Sequence, residues 1–585
     1  MPDSAFSAEA ARVIDAATAA KLTPSPQDWR DGWIYFLMLD RFNNPDRAIA
    51  HEPFDDPAYS DYQGGTFAGV EAQLPYIKEL GAGAVWLSPV LKNLPFERSY
   101  HGYGIHDFLA AEPRFARDPL HADEELRALV DAAHALGLYV IFDVVLNHTG
   151  DAFAYAAGVP DGFSPQPQPV WWRDASGTAL PSFVEIENVP NPSRAAFVWP
   201  RELQKNAFFR RQGQMQGEDT FGDFSSLKQM RTEDPALQHL LIRAYHYVMS
   251  RFDVDGFRID TLRYLKGDLP RLFGNSMREF ALAAGKENFF TFGEVFDRQS
   301  EDDIARFIGR ATSDASDLVG VDAALDYPLF EALKPVVKGF APPSVVADMY
   351  HRRKGVEANV LSSHGDATRF FVTFLDNHDV KERLRYVDPG DPSRFDDQVT
   401  LGLACLLSLP GIPCIYYGTE QGLHGSGNDE AVREALWGGP GFDRANPFYQ
   451  DLAKLSRLRA ARPALRYGRF YFRPISGDGE TFGISAFPQG VLAFSRILDD
   501  EELVIVANTN AQQSATVHVI VDGTLNADGS EFTAVYCNKP GDAPRAVARS
   551  TAEVTVHEVD GTLGSGPVLA LPVTLAPLEV QILAR

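Results

Sequence analysis

The chain has 585 residues, 45% of them hydrophobic and 23% charged, with 54 Lys and Arg against 79 Asp and Glu. That length exceeds one hydrophobic core and predicts two or three domains. The formal net charge of −25 repels phosphate backbones, so no nucleic-acid partner is expected, and with no apolar run near the ~20 residues of a membrane span, none in a membrane either.

Residues 8–22 are rich in Ala, with Val13, Ile14, Ala17 and Leu22 near helical spacing. They predict a helical extension over 1–28, broken by the PSPQD segment. The start lacks a basic segment followed by an apolar block, which predicts a cytoplasmic protein. An alternation follows. WIYFLML (33–39) reads as a strand, 67–80 as a helix closed by Gly81, AVWLSPV (84–90) as a strand, 123–136 as a helix closed by Gly137, and LYVIFDVVL (138–146) as a strand. Strand, helix and glycine in this order predict βαβ units and a parallel sheet. The strands are apolar on both faces, as buried parallel strands are.

After His148 the rhythm stops. Residues 149–230 are loop-rich, proline-rich and aromatic, a pattern of a functional insertion. Trp171, Trp172, Trp199, Phe208 and Phe209 there fit either sugar platforms or the core of a small domain. The alternation resumes with a helix at 236–252 and strands ending at GFRID (256–260), then at 288–295, 318–325, 369–377 and 412–419. From 466 to 585 short alternating segments separated by Gly, Asp, Asn and Pro predict an antiparallel β-sandwich. The three cysteines, Cys405, Cys414 and Cys537, form no CxxC pair, so neither a zinc site nor a disulfide framework is indicated.

Four strings carry the chemistry: DVVLNH (143–148), GFRID (256–260), GEVF (293–296) and FLDNHD (374–379). Each ends an apolar run with charged or amide groups, the layout of a (β/α)₈-barrel active site. Several carboxylic acids at one such rim suit glycosidic bond chemistry, in which one carboxylate attacks the sugar and a protonated acid serves the leaving oxygen. Arg258 and Asp260 are i and i+2 on one strand and share a face. Asp260 is therefore the candidate nucleophile, its pKa expected to be held down by Arg258. Glu294 is the candidate acid/base, and Asp379 a third carboxylate able to grip hydroxyls and keep Glu294 protonated by repulsion. His148 and His378 are candidate hydroxyl donors. Asp143 alone reads as a loop brace. A metallohydrolase using His148, His378 and Asp379 is the other chemical option, although no HxH or HExxH spacing supports it.

In these strings and their order the chain resembles the α-amylase superfamily, glycoside hydrolase family 13. YQGGTFAGVEAQLPYIKELGAGAVWLSPV (62–90), YHGYGIHDF (100–108) and GIPCIYYGTEQG (411–422) are similar to further landmarks of that family. The resemblance implies an α/β fold: a (β/α)₈ TIM barrel (29–148 and 231–465), a domain B inserted after the third strand (149–230) and a C-terminal antiparallel β-sandwich (466–585). It places the nucleophile on Asp260, the acid/base on Glu294 and the third carboxylate on Asp379. Substrate-binding roles fall on Arg258, His148, His378, Tyr103 and His101. It implies a retaining hydrolase of α-1,4-linked, α-1,6-linked or cyclic glucans, acting on oligosaccharide or polysaccharide without a cofactor in the chemistry. A transglycosylase or a sucrose- or trehalose-type isomerase would share the same residues, and a non-catalytic sugar-binding homologue would lack one or more of the acids. Many members hold a structural calcium. Its implied ligands here are Asn147, Asp223 in GDFSSL and the Tyr264 carbonyl, with a second ion conceivable at Asp40, Asn43 and Asp46.

Overall fold

The computed structural model describes residues 5–51, 61–159, 162–217, 221–266, 268–296, 304–311, 320–356, 358–539, 544–550 and 553–585. Eight parallel strands follow the chain: β1 (Ile34–Leu37), β2 (Ala84–Leu87), β3 (Tyr139–Val145), β4 (Gly256–Asp260), β5 (Phe290–Gly293), β6 (Ala323–Ala324), β7 (Val372–Thr373) and β8 (Ile412–Tyr416). Their spatial order is β6-β5-β4-β3-β2-β1-β8-β7. One further parallel bridge, Leu325 to Val372, joins β6 to β7 and completes the ring. The predicted strands at 318–325 and 369–377 shrink to two residues each, and positions 318 and 319 lie outside the described residues.

The helices lie outside this ring: α1 (Ala5–Ala20), α2 (Phe67–Leu80), α3 (Ala122–Ala135), α4 (Pro235–Phe252), α5 (Leu269–Ala283), α6 (Tyr327–Val337), α7 (Ser344–Val356), α8 (Asp396–Ser408) and α9 (Pro447–Ala461). Their ends follow from local sequence. Thr66 caps α2 by accepting from the Gly69 amide, and Gly81 ends it at φ 99°, a left-handed position that a side chain would strain. Asp234 accepts from the Ala236 and Leu237 amides at the start of α4, with Pro235 in the first turn, where it loses no helical hydrogen bond. The predicted extension helix α1 packs on α4 through Phe6, Ala10 and Tyr247.

The register of the central strands sets the site. Arg258 on β4 is directly beside Asp143 on β3 and Phe292 on β5, so its side chain enters the ring with theirs. Beneath it Trp86 stacks on Phe36 at 3.7 Å and meets Phe292 edge-on at 5.5 Å. This aromatic floor, fully buried, fixes the height at which the polar groups stand.

The insertion pairs Phe153–Tyr155 with Val170–Trp172. Trp172, Phe208 and Phe209 are buried, with Phe153, Trp172 and Phe209 in mutual edge-on contact. These aromatics form the core of a small domain; Trp171 and Trp199 are half-buried. In the C-terminal region a six-stranded and a four-stranded antiparallel sheet face each other across Val504, Val506, Val519, Leu571 and Val573. The six-stranded sheet turns its other face, with Phe494, Leu503 and Ile505, to the core of the barrel region. Among the described residues no helix is long and apolar enough to cross a membrane.

Candidate active site

At the C-terminal ends of β3, β4 and β5 one guanidinium gathers three carboxylates. Arg258 Nη1 donates to Asp143 Oδ1 and to Asp260 Oδ1, both at 2.9 Å, and Nη2 lies 3.1 Å from Glu294 Oε2. Arg258 and Asp143 are fully buried, while the Asp260 and Glu294 side chains keep 8% and 10% exposure, enough to face a substrate. Asp143 also accepts from the Tyr103 hydroxyl at 2.9 Å and from Trp86 Nε1 at 3.3 Å. It is a member of the cluster and orients Arg258, rather than the loop brace expected of an isolated aspartate.

Glu294 has its own supports. Its Oε2 accepts from the Thr261 amide at 3.2 Å and its Oε1 from the Tyr327 hydroxyl at 3.2 Å. Asp379 stands across from them, a third exposed. His378 Nε2 lies 3.1 Å from Asp379 Oδ2 and 2.6 Å from the Tyr103 hydroxyl. Tyr103 stacks between His378, at 5.6 Å, and His101, at 5.5 Å. The Tyr103 amide donates to His101 Nδ1 at 3.1 Å. His148 Nε2 lies 4.0 Å from Asp260 Oδ2, and the ring is also drawn to the Tyr103 backbone. All eight residues that the sequence assigned to catalysis and sugar binding thus converge.

Two residues that no string marked complete the site. Arg433, beyond β8, donates from Nη2 to Asp379 Oδ1 at 3.1 Å, from Nε to the His378 carbonyl at 2.9 Å and from Nη1 to the Tyr100 hydroxyl at 2.8 Å. Tyr327, at the start of α6, holds Glu294 as described. Both reach the site by tertiary packing alone, so no local spacing announces them.

The electrostatics differ from the sequence expectation in one respect. Burial pushes Asp260 well above the usual carboxylate range, and Glu294 and Asp143 add to it; Arg258 opposes but does not prevail. Burial likewise raises Asp143 to about 7 against Arg258. One guanidinium among three acids cannot neutralise them all, so the cluster retains protons at a pH where free aspartates have lost theirs. Burial keeps His148 neutral, with its pKa lowered to about 4, and His101 at about 3. These imidazoles offer hydrogen bonds without adding charge. Because the attacking group must be ionised, activity should fall as pH drops through the raised carboxylate pKa values. The acid limb of a kcat/KM pH profile is therefore expected above the ~3.9 of a free aspartate. A limb centred near 4 would contradict the clustering.

Such a rim of acids around one arginine, on strands in this order, matches a known family. A sequence profile described as the alpha amylase catalytic domain fits residues 36–464. The chain belongs to the alpha-amylase family. It is 26% identical over 574 residues to an alpha-amylase of Streptomyces lividans, covering 89% of this chain and 56% of that one. It is 30% identical over 463 residues to a beta/alpha-amylase of Paenibacillus polymyxa, covering 78% of this chain and 32% of that one. It thus spans about half of the first relative's length and a third of the second's. The crystal structure of an alpha-amylase from Geobacillus thermoleovorans complexed with acarbose superposes with a TM-score of 0.62 at 25% identity, covering 96% of this chain and 99% of that one.

The calcium that this family implies does not fit the residues present. Asp223 Oδ2 accepts from the Tyr155 hydroxyl at 2.8 Å and faces the Lys228 ammonium at 3.3 Å. Lys228 also lies 3.1 Å from Asp151 Oδ1. Asn147 Oδ1 accepts from Gln229 Nε2 at 3.3 Å, and Tyr264 packs edge-on against Phe224 at 4.8 Å. A hard cation needs six to eight oxygens, whereas here an ammonium and an amide already donate to the carboxylate and the carbonyl expected to serve it. The arrangement at Asn147, Asp223 and Tyr264 therefore does not fit the metal site expected there. The second conceivable site fails similarly: Asp40 accepts from the Gln63 and Gly64 amides, Asn43 donates to the Gly69 carbonyl, and Asp46 pairs with Arg117. Of metal-spaced acid and histidine triplets, the described residues contain only Asp131, His134 and Asp253, not the set that a metallohydrolase would need. Lys228→Met would leave Asp223 buried without its cation, at a cost of about 3–5 kcal/mol. The melting temperature is expected to fall by several degrees in the variant and to stay unchanged when the wild type is treated with chelator. A chelator-induced drop in the wild type would restore the calcium reading.

Proposed function

We propose that the chain is a retaining glycoside hydrolase of α-1,4-linked glucooligosaccharides. The observation that carries this reading is the single guanidinium of Arg258 holding Asp143, Asp260 and Glu294 at one rim, with Asp379 opposite. In the proposed cycle Asp260 attacks the anomeric carbon while a proton on Glu294 passes to the departing oxygen. The sugar is then bound covalently to Asp260. Glu294, now ionised, takes a proton from water, which attacks the same carbon and frees Asp260. Two displacements at one carbon return the α configuration. Asp379, steadied by Arg433 and His378, grips ring hydroxyls, and His148 supplies a further donor. Tyr103, stacked between two imidazoles with its hydroxyl on Asp143 and His378, holds His378 toward the sugar.

Support for a glucan substrate comes from the relatives named above and from the neutral hydroxyl-binding groups around an acidic cluster. Chromatography of products from maltooligosaccharides, pullulan and cyclodextrins tests it. Shorter α-1,4 products are expected. Chains longer than the starting sugar, or relinked ones, would indicate transfer in place of hydrolysis, and no cleavage of any glucan would refute the reading.

A further inference from the structure

A second concave surface lies at the opposite end of the barrel from the carboxylates. It opens beside Arg30 before β1, Arg369 before β7 and Gly411 before β8. Helix α7 walls it on the barrel side, and residues 466–472 with Arg496 wall it on the side of the C-terminal sheets. Its volume is about 740 Å³, within the range of small-molecule sites.

Its charge runs against that of the chain. Seven arginines and lysines line it against three acidic residues, on a protein of net charge −25. Several are neutralised locally: Arg30 by Asp28 at 2.6 Å, Arg353 by Asp326 and Arg466 by Asp31. Lys354 and Arg469 are exposed in the wall and have no acidic partner among the described residues. Arg496 is 1% exposed and has no carboxylate partner among the described residues. It donates only to carbonyls, Ser408 O at 2.6 Å and Gly468 O at 3.0 and 3.2 Å. Behind it Arg459, equally buried, donates only to backbone carbonyls, those of Leu407, Leu465, Gly411 and Arg30. Burial lowers Arg496 to about 10 and Arg459 to about 9, and Arg496 adds to the second shift. A buried charge without a counter-ion is destabilising. Tyr350 in the same wall has a buried hydroxyl with no hydrogen-bond partner among the described residues. Beside it Phe470 and Phe472 form an apolar surface, Tyr350 to Phe470 at 4.8 Å.

We propose that this cavity binds a small phosphorylated ligand. The phosphoryl group supplies the missing negative charge at Lys354, Arg469 and Arg496 and accepts from the Tyr350 hydroxyl. An attached ring, when there is one, packs on Tyr350 and Phe470. Such a ligand would bridge the barrel base and the C-terminal sheets, and is chemically unlike the neutral sugar that the carboxylate rim accommodates.

Isothermal titration calorimetry on the full chain tests this with glucose 6-phosphate, inorganic phosphate and glucose as probes. Saturable binding of the phosphate-bearing probes is expected, weakening as salt is raised and undisturbed by Asp260→Asn. The double variant Lys354→Glu with Arg469→Glu should weaken it roughly tenfold or more, with maltooligosaccharide turnover unchanged. Should that variant fail to fold, Lys354→Ala with Arg469→Ala replaces it, with the same expected direction. Tighter binding of glucose 6-phosphate than of phosphate identifies an ester as the ligand; equal binding identifies the free ion. No saturable binding at millimolar concentration, binding unchanged in the variants, or binding by glucose equal to that of its phosphate would overturn the proposal.

Discussion

Asp260→Asn is expected to lower turnover of maltooligosaccharides by about 10⁴- to 10⁶-fold while leaving substrate affinity within a few-fold. The amide keeps the size of the carboxylate, and its oxygen still accepts from Arg258 Nη1, which is 2.9 Å from Asp260 Oδ1 in the native chain. The packing around Trp86 and Phe292 is untouched. What is lost is a group able to form and then release a bond to carbon. The loss should appear in kcat, because Arg258, His148, His378 and Tyr103 still hold the sugar. Steady-state kinetics with a ligand-binding measurement on the variant separates the two. Near-native turnover would show that Asp260 is not the nucleophile.

The second large effect concerns Glu294. Glu294→Gln keeps the contacts to the Thr261 amide and the Tyr327 hydroxyl region but has no acidic proton to give. For natural glucans, whose leaving oxygen needs that proton, turnover should fall about 10²- to 10⁴-fold. For α-glucosyl fluoride, whose leaving group needs none, the first displacement should remain fast. The second should stall, since no base activates water, giving a burst followed by a slow steady state. Azide, which needs no base, should restore turnover and yield the glucosyl azide. An equal loss on glucan and fluoride, with no effect of azide, would remove Glu294 from the acid/base role.

The two effects also explain which parts of the molecule could be read in advance. The barrel was legible wherever a strand or helix satisfies its own local rule. Thr66 and Gly81 bracket α2, Asp234 and Pro235 start α4, and the i, i+2 spacing puts Arg258 and Asp260 on one face. β6 and β7 were overestimated because apolar runs continue beyond the ladder. Before β7, residues 367–370 coil into a short 3₁₀ turn, and after Thr373 the chain leaves the sheet toward Asp379. The insertion was harder, since its backbone bonds run between loops and its core is a few aromatics such as Trp172 and Phe209. Arg433 and Tyr327 were invisible for a related reason: each acts through a contact more than 30 residues away in sequence. The calcium expectation meets an obstacle at one residue, Lys228, which directly follows GDFSSL and brings its own positive charge to Asp223. Sequence shows the arginine adjacent to Asp260 but not the burial shared by three acids, which raises the Asp260 pKa.

The central claim is that a covalent sugar forms on Asp260. The most direct measurement is to incubate the Glu294→Gln variant with an α-glucosyl fluoride bearing fluorine at C5, then digest the protein and map the label by mass spectrometry. The added fluoroglucosyl mass is expected on the peptide containing Asp260 and on no other. Label on the peptide of Asp143 or Asp379, or no label together with β-anomeric products from the wild type, would contradict it.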